Sequence, residues 1–201
     1  HLAPLIACWS PVVRIVFPGF GLLNHELEAP SSTGDRGQYL MNIAEAEGWR
    51  SIFVIGHSMG GVAAMQWAQM DERVKTLVLM CSVGVRRHRG MSFGPKTAQV
   101  LLKLSLWPML GSLFLKILKG RLFKMGFGRH PLHHQQLGLI LRHVRDFSFE
   151  GVSYIIDQFT ISHDRTVGVI YTLDDPIVDL RASRTLVDYL SQKIPKKHLY
   201  V

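Results

Sequence analysis

The chain has 201 residues, of which 47% are hydrophobic and 19% charged, a balance that excludes a disordered chain and suits one domain with a sizeable core. Two cysteines, Cys8 and Cys81, are too few for a disulfide framework and point to a reducing, cytoplasmic compartment. The formal net charge of +8 is unevenly placed: between Arg73 and Arg145 stand 14 Lys and Arg residues and no Asp or Glu. The first residue is His1, so the true start is expected to be processed or absent.

Arg14–Phe17 is the first apolar run that reads as a strand. Tyr39, Leu40, Ile43 and Ala44 then put one apolar stripe on a helix, and Gly48 should end it. Ile52–Ile55 reads as a strand, Val62–Met70 as a helix and Thr76–Met80 as another strand. Val167–Tyr171 and His198–Val201 complete the strands, with a helix over Ala182–Ile194 between them. The strands are rich in Val and Ile, as strands covered on both faces are. Strand alternating with helix predicts an α/β fold with a mostly parallel, doubly wound sheet.

From Val85 to His163 that rhythm breaks. Leu101, Leu102, Leu104, Leu106 and Trp107, then Leu113, Phe114, Leu115, Ile117 and Leu118, are interleaved with Lys103, Lys116 and Lys119. The lysines, Pro108 and Gly111 keep each apolar run well short of the ~20 residues that cross a bilayer. The segment reads as a helical insert. It divides the chain into a core, residues 1–84 and 164–201, and a cap, residues 85–163. Lysines interleaved with aliphatics on an acid-free stretch also predict a weak contact with anionic membranes. Nothing like a helix-turn-helix or an RNA-binding signature accompanies the charge, so no nucleic-acid partner is expected.

Gly56-His57-Ser58-Met59-Gly60 follows a strand and opens a helix of small and apolar residues, Gly61 to Met65. G-x-S-x-G is a weak pattern by itself, but this strand–turn–helix context is the one it requires. A turn that sharp should leave no space for side chains at Gly56 and Gly60. It should hold Ser58 at its tip in a strained conformation with the hydroxyl exposed. The backbone N–H of Met59, at the start of the helix, would then face an oxyanion formed on a substrate. The competing reading is a glycine-rich turn whose serine caps the helix.

Gly56-His57-Ser58-Met59-Gly60-Gly61 resembles the nucleophile elbow of α/β hydrolases, in the esterase, lipase and C–C hydrolase group. The resemblance implies an acyl-enzyme on Ser58 and no cofactor or metal. Phe17-Pro18-Gly19-Phe20-Gly21 is similar to the segment after the family's fourth strand, and the insert sits where the family carries its cap. Asp174-Asp175-Pro176-Ile177-Val178 resembles the acid loop. The family's spacing to the apolar pair points to Asp175, which would orient a catalytic histidine.

Three features depart from the family. Its third strand and the His-Gly motif after it are lacking, with His1-Leu2 near where that motif would stand. Val13 and Arg14 leave no room for the helix before the fourth strand. No histidine follows the last strand. His198 stands at that strand's start, the wrong end for the site, and His163 has the same fault. His130, His133 and His134 lack a carboxylate or thiolate nearby and read as a solvated loop, not a metal site. An incomplete chain, inactive alone, explains all three departures. The function implied is hydrolysis of a carboxylic ester of a hydrophobic small molecule or lipid. The alternatives are a C–C bond hydrolase or haloperoxidase-like enzyme, or a non-catalytic member binding lipid or protein.

Overall fold

A computed structural model describes residues 3–17, 33–89, 95–105, 113, 116–117, 120, 141–142, 144–162 and 165–201. A short helix α1 (Ala3–Ala7) precedes α2 (Thr33–Ala46), β1 (Ile52–His57), α3 (Met59–Met70) and β2 (Val74–Met80). After these come α4 (Pro95–Ser105), α5 (Phe149–Ser162), β3 (Thr166–Ile170), α6 (Leu180–Lys193), a 3-10 turn Lys196–His198 and β4 (Leu199–Tyr200). The strands form one sheet in the order β1-β2-β3-β4, every pair parallel. Parallel neighbours need crossovers, and the helices between the strands supply them. The Phe17-Pro18-Gly19-Phe20-Gly21 segment, except Phe17, and His130, His133, His134 and His163 lie outside the described residues.

The end of α2 follows the expected rule. Gly48 adopts φ +66°, Trp49 N–H reaches Ala44 O at 2.9 Å and Gly48 N–H reaches Glu45 O at 3.1 Å. That pair of bonds closes the open carbonyls of the last turn, and glycine makes the left-handed backbone inexpensive.

One expectation about the strands is corrected. Arg14–Phe17 forms no strand. A strand needs a ladder for its N–H and C=O groups, and no described strand lies beside this segment. Ile15 and Phe17 instead pack on the edge of the core, with the Phe17 ring 5.9 Å from Tyr39 and beneath the Arg36 guanidinium at 5.7 Å. Among the described residues, the helices pack on one face of the sheet. Ile52, Val54, Val74, Leu77, Leu79, Val167 and Val169 are buried with α3, α5 and α6 residues. Phe53, Ile55, Ile170 and Tyr200, whose alternate positions share the other face, are exposed. Each buried Leu or Val on the covered face is worth about 1.5–3 kcal/mol relative to exposure.

A polar cluster ties the amino-terminal edge of the sheet. Asp71, buried at the end of α3, accepts from Trp67 Nε1 at 2.9 Å and from Arg73 Nε and Nη2, each at 2.9 Å. Arg165, just before β3, donates to Asp71 O at 2.9 Å. A further tie joins α5 to α6, where Asp157 meets Lys193 Nζ at 2.8 Å and Tyr189 Oη at 3.0 Å. These bonds fix the crossovers, and therefore the loops at the opposite, carboxyl end of the sheet.

Candidate active site

Ser58 stands between β1 and α3 at φ 54°, ψ −124°, a conformation that costs a non-glycine residue on the order of 1–3 kcal/mol. It persists because its backbone is pinned. Ser58 N–H donates to Met80 O at 3.0 Å, and Ser58 O accepts from Gly61 N–H at 3.0 Å and Val83 N–H at 3.2 Å. The Ser58 hydroxyl makes no capping hydrogen bond to α3, which removes the reading of Ser58 as a helix cap. Met59 is the first residue of α3, so its N–H has no intrahelical acceptor.

The glycines divide differently from the expectation. A Cβ on Gly56 would lie 2.6 Å from Gly61 Cα and 2.8 Å from Gly60 O, so strand and helix touch through backbone there. A Cβ on Gly61 would collide with the Ser82 hydroxyl, which itself bonds Val83 O at 3.0 Å. Gly60 is the correction: beyond its chain neighbours and its own helix backbone, a Cβ there meets nothing within 4 Å. Gly61, which the spacing did not single out, holds the close approach.

The acid loop lies at the same end of the sheet. Asp175 is half-buried, and its Oδ1 accepts from Ile177 N–H at 2.8 Å and Val178 N–H at 2.9 Å. Asp174 beside it is exposed. Asp175 therefore shapes its own turn with one oxygen, as a turn-forming Asp does. The same carboxylate stands near the thiol of Cys81, the residue after β2. Burial first, and the Asp175 carboxylate beside it, raise the Cys81 pKa, with the Thr172 backbone pulling the other way. Cys81 also sits at positive φ, 42°, with its N–H on Ile170 O at 2.7 Å. The turns carrying Ser58 and Asp175 thus flank Cys81 from its two sides.

His88 is the residue that reasoning from sequence missed. It is 6% exposed, and its Nδ1 lies 3.0 Å from Ile177 O. Ile177 accordingly gives its N–H to Asp175 and takes a bond on its C=O from His88. The next residue, Arg89, donates its N–H to Asp179 Oδ2 at 3.0 Å, while Asp179 Oδ1 caps α6 through Ala182 N–H at 3.1 Å. His88 and Arg89 thus tie their segment to the loop 175–179 at two points. Burial lowers the His88 pKa, against the pull of the Ile177 carbonyl and the carboxylates of Asp179 and Asp175. Its Nε2 is buried with no hydrogen-bond partner among the described residues. In sequence, His88 stands among Arg86, Arg87 and Arg89 and looks like part of a solvated basic run.

His198 is not near Ser58. By the strand register it aligns with Thr166 and Phe53, about five residues or 16 Å short of Ser58 along the sheet and about three strand spacings or 14 Å across it. Among the described residues no group of three His, Cys, Asp or Glu side chains could hold a metal ion. Also among these residues, no helix is long and apolar enough to cross a membrane.

Residues 28–124 match the family described as serine aminopeptidase, S33. Over 89 residues the chain is 36% identical to a serine hydrolase-like protein of Danio rerio, an alignment taking in 41% of this chain and 26% of that protein. The chain thus spans about a quarter of the length of the curated relative it matches. Its structure is similar to the enol-lactonase of Burkholderia xenovorans LB400, with a TM-score of 0.60 at 13% identity over 99% of this chain and 75% of that one. It is similar also to the meta-cleavage product hydrolase CumD of Pseudomonas fluorescens IP01, with a TM-score of 0.59 at 18% identity over 98% of this chain and 73% of that one. At these identities the structural likeness is one of fold.

Proposed function

We propose that the chain, which has the fold of the α/β hydrolases and matches a serine aminopeptidase family over residues 28–124, carries the nucleophile and the acid of a serine hydrolase. The bond cleaved is an acyl bond, a carboxylic ester of a hydrophobic small molecule or lipid, through an acyl-enzyme on Ser58. The observation that carries this reading is the Ser58 backbone at φ 54° with a hydroxyl free of any capping bond. Strain of that kind, held by three backbone hydrogen bonds, has no use in a simple turn.

In the proposed reaction a histidine outside the described residues takes the Ser58 proton as Oγ bonds to the ester carbonyl carbon. The carbonyl oxygen becomes an oxyanion that Met59 N–H binds. The intermediate collapses, the C–O bond to the alcohol breaks, and the alcohol leaves with the proton from the histidinium. Water, deprotonated by the same histidine, then releases the acid and restores Ser58. Asp175 orients the histidine and stabilises its cation. His88 is a positioning residue that holds the Asp175 turn through the Ile177 carbonyl. The segment 85–163 is the cap over the site.

The test is labelling by a fluorophosphonate probe, on this chain and on a form extended at both ends. We expect Ser58 labelling in the extended form and none after Ser58→Ala. Labelling that survives Ser58→Ala would overturn the nucleophile. Labelling of the short chain that His198→Ala abolishes would make His198 the base. Turnover of p-nitrophenyl esters against vinylogous diketones then separates ester from C–C cleavage.

A further inference from the structure

The outward face of α4 is unusual for a surface helix. Ala98 is buried and Leu101 and Leu102 are half-buried, which defines the side turned to the protein. On the other side Lys96, Thr97, Gln99, Val100, Lys103 and Leu104 are exposed. Val100 and Leu104 are one turn apart and so neighbours on that side, with Lys96 and Lys103 flanking them. The helical residues Leu113 and Ile117 repeat the arrangement, four positions apart, with Lys116 exposed between them. The four aliphatic side chains are 36–59% exposed. An outward helix face is ordinarily polar. Single exposed aliphatics are common, but paired ones recurring beside lysines are not explained by chance exposure.

In sequence, the charge of this segment has one sign. The 14 Lys and Arg residues from Arg73 to Arg145 stand with no acid among them, and Arg86, Arg87 and Arg89 are exposed at the start of the same segment. We propose that α4, together with Leu113, Lys116 and Ile117, docks on an anionic lipid surface. The lysine ammonium groups would lie at the headgroups while the aliphatic pairs enter the acyl boundary. Each half of the pattern fits that occupant. The cations match the negative surface potential, and the aliphatics gain from leaving water. A nucleic acid would use the cations and leave the aliphatic pairs idle. The inference is independent of the chemistry at Ser58, since it concerns only how this face is covered.

Co-sedimentation of the 201-residue chain with vesicles tests it. Phosphatidylcholine vesicles are compared with phosphatidylcholine containing about a third phosphatidylglycerol, at about 0.05 M and about 0.5 M salt. We expect binding to the anionic vesicles to be roughly tenfold or more tighter than to the neutral ones, and to weaken about tenfold at high salt. Two variants divide the pattern: Val100→Ser with Leu104→Ser, Leu113→Ser and Ile117→Ser, and Lys96→Glu with Lys103→Glu and Lys116→Glu. All these positions are exposed, so the fold should tolerate them, and each set should weaken anionic binding severalfold. Equal binding to neutral and anionic vesicles, or no binding at low salt, overturns the proposal. So does a single-stranded oligonucleotide that binds the serine variant as well as the parent and displaces the vesicles, which would assign the face to nucleic acid.

Discussion

The elbow around Ser58 and the loop around Asp175 meet at one end of the sheet but are held there by different forces. The elbow is held by shape. Gly56 and Gly61 bring strand and helix so close that no Cβ fits, and Ser58 is forced into positive φ between them. The acid loop is held by polar bonds: Asp175 on Ile177 and Val178, His88 on the Ile177 carbonyl, and Asp179 on Arg89 and Ala182. Shape is determined by neighbours in sequence and tolerates nothing larger. Polar bonds, two of which reach from His88 and Arg89 far along the chain, respond to donor, acceptor and pH. Ser58 is therefore held locally, while the Asp175 turn also depends on contacts from His88 and Arg89.

The largest effect should come from removing charge on the polar side. In the extended protein, Asp175→Asn should lower kcat by about 10⁴, as in triads where loss of the acid leaves the histidine in the wrong tautomer. Asp174→Asn should change it little, because that side chain is exposed. Ester turnover by the two variants is the measurement, with probe labelling of Ser58 as a check that the elbow is intact. Equal losses, or a larger loss at Asp174, would place the acid one residue earlier.

On the shape side, a single methyl group is the sharpest instrument. Gly56→Ala puts Cβ into the backbone of Gly60 and Gly61, and backbone cannot swing aside. Its cost should reach at least the 1–3 kcal/mol typical of overpacking. Gly60→Ala meets open space in the first turn of α3, where alanine is the better helix former, so stability should be unchanged or rise by up to about 1 kcal/mol. Urea unfolding of the 201-residue chain measures both. Similar losses at the two positions would mean that the elbow is not held by the contact at Gly56.

The same contrast explains how much could be read from the sequence. Ser58 and Met59 follow from five consecutive residues whose spacing states the turn, so a short window contains the geometry. The strands around them are apolar runs and the Gly48 cap is a single residue, both equally local. Asp175 needed the family spacing, because Asp-Pro turns are common and its neighbours do not say which oxygen is free. His88 could not be found that way. Its partner, Ile177, is 89 residues distant, and burial of a histidine amid Arg86, Arg87 and Arg89 is a property of the fold. Gly61 was passed over for a related reason: periodicity gives the face of a helix, but not that Ser82 returns to fill it. The strand expected at Arg14–Phe17 failed because apolar content does not supply a partner for the ladder.

The smallest expected effect tests whether His88 belongs to the polar device. His88→Ala removes a buried hydrogen bond to the Ile177 carbonyl, and in the extended protein it should lower kcat about tenfold with little change in KM, consistent with a loss of roughly 1–3 kcal/mol at a buried acceptor. His88→Asn presents an amide N–H near the place of Nδ1 and should restore most of the rate, which a purely volumetric role would not predict. The sign of the pH dependence gives a second readout in the 201-residue chain. Burial lowers the pKa of folded His88, against Asp179 and Asp175, whereas in the unfolded chain it stays near the ordinary ~6.5. The folded state then binds fewer protons than the unfolded one below that pH. Its contribution is complete above the unfolded pKa and declines as pH falls toward the lowered folded value. Between about pH 7.5 and about pH 5.5 the parent should lose more unfolding free energy than His88→Asn, since the other histidines titrate in both and cancel in the difference. A smaller loss in the parent would mean that Asp179 and Asp175 hold His88 as a cation. The bond to Ile177 would then be secondary to an ion pair.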